Sequence, residues 1–576
     1  MRGWKLRLLA LLLSLNLLSV DLNGQTPIRY SIVIDEILPD PAPAVGLPNA
    51  EFVELKNVSG GPINLKQWKL SDGSSTATIN IDYYLQADSF VIICSAPVAA
   101  LFASFGSTIG VNNFPSLNND ADVITVYSSD GSCIHAVAYQ LNWFNNAVKS
   151  EGGWTLEMVD TRNPCEGENN WKASTDIRGG TPGRINSSDR RNPDVQTPTF
   201  TRAYVLDSIT VMAVFDEPLD SNEAANSQHY LFDDASIIIL RSTAKPSLFK
   251  EVELKISRPL EAGKLYQLSI TGIKDCSNNF ISANNKKPVG LSTLADSLDL
   301  VINEILFNPV SDGVDYVELY NRSQKIIDIS RLYISNRNAN GVINAPQRMS
   351  EAPLFFFPGD YLALSESSMN IRQHFFSRNV DWLLNVSSLP SFPDDRGVVL
   401  ILNEQGKIID ELRYDQDWHF ALLQNKEGVS LERIDPGAGT QSRDNWTSAA
   451  SSVGFGTPAL QNSQYKNAAA QAGSISIDPS VFSPDNDGVD DICFIRYEMT
   501  EPNFVANILV FDANGREVRR LYNNATLTQN GTLRWDGLGE NYKPLPIGIY
   551  IIYTEIFNLQ GKRKKFKNVV TLARRI

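Results

Sequence analysis

Along most of this chain valine, isoleucine, phenylalanine and tyrosine alternate with polar residues, and glycine, proline, asparagine and aspartate bound the runs. Alternation over roughly five to eight positions predicts short half-buried strands. No segment after the amino terminus sustains a 3.6-residue apolar period, so the pattern predicts antiparallel sandwiches or barrels.

One stretch of this pattern is written twice. Val33-Ile34-Asp35-Glu36-Ile37-Leu38-Pro39-Asp40-Pro41, followed by Glu51-Phe52-Val53-Glu54-Leu55-Lys56-Asn57, returns as Val301-Ile302-Asn303-Glu304-Ile305-Leu306-Phe307-Asn308-Pro309 and Asp315-Tyr316-Val317-Glu318-Leu319-Tyr320-Asn321. The copies stay in step. Asp88-Ser89-Phe90 answers Asp360-Tyr361-Leu362, and Asp120–Tyr127 answers Asp395–Leu402. Tyr139 and Trp143 match Tyr414 and Trp418, Thr155-Leu156-Glu157 matches Ser430-Leu431-Glu432, and Asn170-Trp171 matches Asn445-Trp446. Gly180-Thr181-Pro182 and Gly456-Thr457-Pro458 close the two copies. A duplicated module fixes domain boundaries and weakens the case for any recurring residue as a unique catalytic group.

These landmarks resemble the lamin-tail domain, an immunoglobulin-like β-sandwich, over residues 25–190 and 298–463. Residues 195–297 carry Phe215-Asp216-Glu217-Pro218 and Asp275-Cys276-Ser277-Asn278-Asn279 and resemble bacterial immunoglobulin-like spacer modules, with Asn278 where glycine is usual. Residues 472–576 carry Phe482-Ser483-Pro484-Asp485, Leu533-Arg534-Trp535-Asp536-Gly537 and Gly548-Ile549-Tyr550. They resemble the immunoglobulin-like domain of flagellar hook-capping proteins and the carboxy-terminal sorting domains of gliding Bacteroidetes, the substrates of type IX secretion. The basic finish from Lys562 to Lys567 fits such sorting domains; it fits equally a charged edge strand that resists pairing with other chains. The expected fold is all-β: four immunoglobulin-like antiparallel β-sandwich domains in tandem.

Arg2, Lys5 and Arg7 before the leucine-rich run Leu8–Leu18 read as a secretory signal peptide over residues 1–24. No later run is apolar and long enough for a membrane span. The expected location is therefore secreted or on the outer cell surface. Hydrophobic content of 43% with 20% charged residues fits globular modules. The net charge is −14, and without residues 1–24 (three basic, one acidic) it is −16. That balance counts against broad nucleic-acid binding, which neutralises phosphates with Lys and Arg.

Candidate chemistry is sparse. The four histidines, His135, His229, His374 and His419, show no metal-binding spacing. His135, between Ile134 and Ala136, is expected to be exposed. Glu36 with Glu54, and Glu304 with Glu318, have the look of acid–base pairs. Their recurrence favours a structural task, accepting backbone N–H groups at strand ends. No nucleophile elbow or phosphate-cradling loop is present, and the chain reads as a non-enzyme.

Calcium is the one cofactor the sequence raises. Ser483, Asp485, Asp487, Val489 and Asp491 have the odd-position spacing of a calcium loop around Gly488, but Phe494 stands where the bidentate glutamate belongs. The competing reading, which the missing ligand favours, is a turn whose side chains bond their own backbone. Trp143 and Trp418 are candidates for a carbohydrate platform. Of five cysteines, Cys94, Cys133, Cys165, Cys276 and Cys493, the local pair Cys133–Cys165 is the expected disulfide. The second copy has no cysteine, so the sandwich does not need one.

The function expected is extracellular or cell-surface binding, adhesion or scaffolding, with secretion or sorting machinery as a further partner through the last module. Nucleic-acid association and carbohydrate binding are the alternatives. Recognition is expected where the copies differ, as at the cysteines and Asn118–Asp122 of the first and at Arg396 and Asp410 of the second.

Overall fold

The computed structural model describes residues 28–282, 285–466 and 473–574, so the expected signal peptide lies outside the described residues. The chain divides into two compact units, residues 1–289 and 290–576. Both are built almost wholly of antiparallel strands arranged as tandem immunoglobulin-like sandwiches. Among the described residues no helix is long and apolar enough to cross a membrane.

In the first unit, a six-stranded sheet runs in the order Trp171–Ala173, Leu156–Met158, Ile32–Leu38, Phe52–Asn57, Phe90–Ser95, Thr108–Val111. A four-stranded sheet, Cys133–Gln140, Ala121–Tyr127, Lys69–Ser71, Thr76–Thr78, packs over it. Between them Ile34, Val53, Leu55, Trp68, Ile124, Val137 and Trp171 form a core. Burial of such side chains contributes roughly 25 cal/mol per Å² and holds the layers together. The unit continues into a four-stranded sheet, Phe200–Asp207, Thr210–Phe215, Glu251–Ile256, Ile239–Ala244, and a three-stranded one, Tyr230–Phe232, Tyr266–Ile270, Lys286–Val289.

The second unit repeats the plan. Its six-stranded sheet has the same spatial order, Trp446–Ser448, Leu431–Arg433, Leu300–Leu306, Tyr316–Asn321, Tyr361–Ser365, Leu383–Asn385. Even the parallel outer pair recurs, Phe90–Ser95 with Thr108–Val111 and Tyr361–Ser365 with Leu383–Asn385. The last module pairs a three-stranded sheet with a five-stranded one that contains Arg563–Leu572. On one side that strand pairs with Gly548–Phe557 along its whole length. On the other, only Thr571 and Leu572 pair, with Val481 and Phe482. Lys564, Lys565 and Lys567 are exposed on the open stretch, where lysine discourages edge-to-edge pairing.

The structure shifts one stretch of the expected alignment by a residue. Asn57 N–H donates to Ser89 O and Asn321 N–H to Asp360 O, so Ser89 matches Asp360 and Asp88 matches Gly359. Asp88 and Gly359 share a turn position at φ 57° and 87°. Turn geometry, rather than shared residue type, sets the register there.

Candidate functional site

The recurring acids lie side by side on the six-stranded sheets. Glu157 and Glu54 flank Glu36 in register, as Glu432 and Glu318 flank Glu304. All six are fully buried. A β-bulge at Asp35 in one copy and Asn303 in the other rotates the first strand and brings the acids onto one face.

The segment that opens with Gly-Thr-Pro closes over each row. Thr181 donates its N–H to Glu36 (2.7 Å) and its hydroxyl to Glu157 (2.7 Å), while Gly183 N–H reaches Glu54. In the second copy Thr457 donates its N–H to Glu304 (2.9 Å) and its hydroxyl to Glu432 (2.8 Å), and Ala459 N–H reaches Glu318 (2.7 Å). Gly183 and Ala459 both adopt positive φ, 80° and 60°, which aims these amides inward. Asn186 and Asn462 then donate to the bulge carbonyls of Asp35 and Asn303, at 2.9 and 2.8 Å. The expected structural task of the glutamates is what this geometry performs. The clamp's Asn-Ser ending, Asn186-Ser187 and Asn462-Ser463, escaped sequence reasoning, although it continues the copies' alignment past the terminal proline.

Burial and neighbouring carboxylates favour the protonated forms of Glu36, Glu54, Glu304, Glu318 and Glu432. Desolvation pushes Glu36 and Glu432 up to about 8, and Glu54 and Glu318 well above the ordinary carboxylate range.

The structure corrects the expectation for His135. It is buried, 1% exposed, because it joins the two sheets: Nδ1 accepts Ile34 N–H at 2.8 Å and Nε2 lies 2.8 Å from Pro164 O. Its counterpart Asp410, expected to mark recognition, does the same work, accepting Ile302 N–H at 2.9 Å. The carboxylate is neutralised by buried Arg433 (3.3 Å) and bonded by the Thr440 hydroxyl (2.6 Å). Met158 occupies the position of Arg433 in the first copy, beside a neutral imidazole that needs no cation.

Three expected sites change. The disulfide joins Cys165 to Cys276, with Cα atoms 6.3 Å apart, and Cys133 is free, its thiol against Ser247 O. The expected Cys133–Cys165 pair fails because residue 276 folds back onto the first sandwich, a meeting 111 residues apart that local spacing cannot show. Trp143 is 8% exposed and packs on Trp171 at 6.4 Å, which removes it as a sugar platform; Trp418 is partly buried against the second core. Arg396, by contrast, is exposed.

In the loop at residue 483, the Asp485, Asp487 and Asp491 oxygens approach within 4.8 Å of one another. Asp491 accepts the N–H groups of Asp485, Asn486 and Gly488, and Asp487 accepts that of Val489. Ser483 joins through its own N–H, donated to Asp490 O. These bonds belong to a self-bonded turn.

A second acidic trio was not anticipated. Asp194, Glu217 and Asp275 each present an oxygen within 4.8 Å of the others. Desolvation first, then mutual repulsion, pushes Asp194 up to about 6 and Glu217 up to about 8. Such a trio holds a proton or a cation. Glu217 and Asp275 stood in sequence landmarks, but their meeting with Asp194 depends on how the linker folds back.

The trio lies at a built joint. Around it are the Cys165–Cys276 disulfide, Asn279 Nδ2 donating to Asp194 O (3.4 Å), and Arg29 donating to Leu219 O (2.9 Å) while lying 3.8 Å over the Phe249 ring. Within the second unit, Ser451 and Thr526 exchange backbone-to-hydroxyl bonds of 2.7 and 3.0 Å, and Gln464 binds both Leu527 O and Asn503 N–H. Beside this joint opens a cleft of about 620 Å³ whose lining includes Phe376, Arg378, Gln461, Tyr465 and Asn530.

Residues 26–140 match the model of the family described as Lamin Tail Domain. Among solved structures, the N-terminal part of the bacterial S-layer protein SbsC is 13% identical, with a TM-score of 0.16, over 38% of this chain and 44% of that one. CopC from Methylosinus trichosporium OB3b is 14% identical at a TM-score of 0.14, over 18% of this chain and 97% of that one. Dimeric latent PorU from Porphyromonas gingivalis is 9% identical at a TM-score of 0.15, over 70% and 35%. This chain spans less than half of the SbsC fragment. No curated protein matches the chain.

Proposed function

We propose that this protein is a non-enzymatic scaffold or adhesion protein of the cell surface or extracellular space, with modules at 25–190, 195–297, 298–463 and 472–576. The observation that carries this reading is the joint within each unit. A disulfide, a guanidinium–aromatic contact and paired side-chain-to-backbone bonds fix neighbouring sandwiches to one another. Modules fixed in this way transmit force and hold binding surfaces at set spacing, which a scaffold requires. The acids that first resembled catalytic pairs are committed to the clamps. The disulfide suits an oxidising compartment.

Protease shaving of intact cells tests the location. Peptides from both units are expected in the released fraction; complete protection in intact cells, with cleavage after lysis, would overturn it. Deleting 472–576 tests the sorting role of the last module, which fails if surface delivery is unchanged.

The cleft favours carbohydrate as the bound class. It combines the exposed Phe376 ring with the Gln461 and Asn530 amides and Arg378, and stacking plus amide hydrogen bonds suit a sugar. Calorimetry with soluble glycans, comparing the native chain with Phe376→Ala, separates this from a purely mechanical role.

A further inference from the structure

The two clamps differ in two donors. In the second copy Asn303 donates its amide to Glu318 (2.8 Å) and to Asn462 (2.7 Å), and Tyr316 donates its hydroxyl to Glu304 (2.7 Å). The first copy has Asp35 in place of Asn303 and Phe52 in place of Tyr316, so both donors are missing. In the first copy three buried carboxylate oxygens, Asp35 Oδ1, Glu36 Oε2 and Glu54 Oε1, have no hydrogen-bond donor, whereas Oε2 of Glu304 accepts the Thr457 hydroxyl at 3.0 Å. A buried acceptor without a donor costs about 1–3 kcal/mol, and more when charged. Three carboxylate oxygens left without donors call for protons.

We propose that Asp35 and Glu54 share a proton in a direct hydrogen bond, so that the first copy carries a clamp on residues 180–188 more strongly proton-dependent than that of the second copy, where Asn303 supplies the donor. The O–H of Asp35 replaces the N–H of Asn303. When the proton leaves, Asp35 and Glu54 become adjacent buried anions, and the anchor of residues 180–188 loosens. The segment continues into Asn192 and Asp194, so the loosening reaches the joint with the following module.

The surroundings of Asp35 favour its neutral form. Burial is the largest effect; Glu157 and Asp189 oppose its ionisation, and Lys56 alone assists it. Together they push Asp35 up to about 7. Glu36 on the same strand and Glu54 on the next carry raised values of their own. From the facing sheet, His135 binds the adjacent Ile34 N–H and is held neutral, adding no cation.

Hydrogen exchange of the full chain, read by mass spectrometry and corrected for intrinsic rates, tests the proposal. Between about pH 6 and about pH 9, protection of residues 180–188 is expected to fall about tenfold further than that of 456–464, whose own buried glutamate partners also titrate there, since each additional proton that must be lost couples opening to pH. Asp35→Asn should lower the first copy's pH dependence to that of the second, and Asn303→Asp should raise the second copy's to that of the first. The infrared carbonyl band of a protonated carboxyl should weaken in Asp35→Asn at neutral pH. Equal pH responses in the two copies, or an unchanged response in Asp35→Asn, would overturn the proposal. Neither outcome depends on the scaffold reading.

Discussion

Arg433 gives the sharpest quantitative test of how the second sandwich is held. Its side chain is fully buried, bonded to Asp410 and Thr440 and 5.3 Å from the Trp446 ring. Arg433→Met leaves the Asp410 carboxylate, itself 2% exposed, without its cation. Orphaning one member of a buried pair costs about 3–5 kcal/mol. Adding Asp410→His removes the stranded charge and rebuilds the pair that the first copy uses, His135 with Met158. The double variant should come within about 1–2 kcal/mol of the native chain, recovering about 2–3 kcal/mol of the loss in Arg433→Met. With two units present, a single global unfolding energy is poorly defined. The assay is therefore urea-dependent hydrogen exchange of peptides covering Leu300–Leu306, which reports the opening of this sandwich alone. If Arg433→Met costs less than about 1 kcal/mol, or the second substitution adds to the loss, the exchange of one buried arrangement for the other is refuted.

Other outcomes follow from the same geometry. Burial holds His135 down to about 4, below its ordinary 6.5, so its neutral form contributes stability present above pH 6.5 and lost as pH falls through about 4. The first unit's melting temperature should drop across that window, and His135→Asn should flatten the acid limb; an identical drop in the variant refutes the assignment. Asp35 and Glu36 act in the opposite sense: their raised values give stability that is complete below about pH 4 and lost as pH rises through about 7 to 8. Reduction of Cys165–Cys276 should destabilise the first unit by about 2–5 kcal/mol and expose residues 191–199 to proteases, leaving the second unit's melting unchanged. Phe52→Tyr should raise first-unit stability by about 1 kcal/mol, by supplying the hydroxyl that Tyr316 gives Glu304. Asp491→Ala should lower local protection at 483–491, by about 1–2 kcal/mol, equally with and without calcium; a calcium-dependent difference would restore the metal-loop reading.

The all-β architecture was legible because alternation and turn residues are local signals, and duplication let each copy check the other. Comparing the copies also revealed that Glu36, Glu54 and Glu157 serve the fold, which no single copy would have shown. What escaped sequence reasoning depends on long-range closure. His135 looked like an exposed strand residue because its bonds run to Ile34 on another sheet and Pro164 in a distant loop. Cys165 finds Cys276 across a module boundary. Asp194, Glu217 and Asp275 meet only once the linker has folded back. Asp35 and Asn303 differ in sequence by a conservative exchange; the amide's role becomes visible only in the structure, where Glu54 lacks a donor that Glu318 has.

The clamps also set an order of events in folding. Glu36 lies on the first strand of its sandwich, yet Thr181, which caps it, comes 145 residues later, and Thr457 follows Glu304 by 153. A nascent chain that has already paired its first two strands still carries bare carboxylates on that face, and they discourage premature packing against any apolar surface. Arrival of the last nine residues of the copy turns this repulsive face into a closed one. Each sandwich is therefore a late-closing assembly with high contact order, and slow folding follows from it. Truncation just before Gly180 or Gly456 is expected to leave a collapsed but open intermediate, whereas truncation just after Ser188 or Gln464 leaves a finished sandwich.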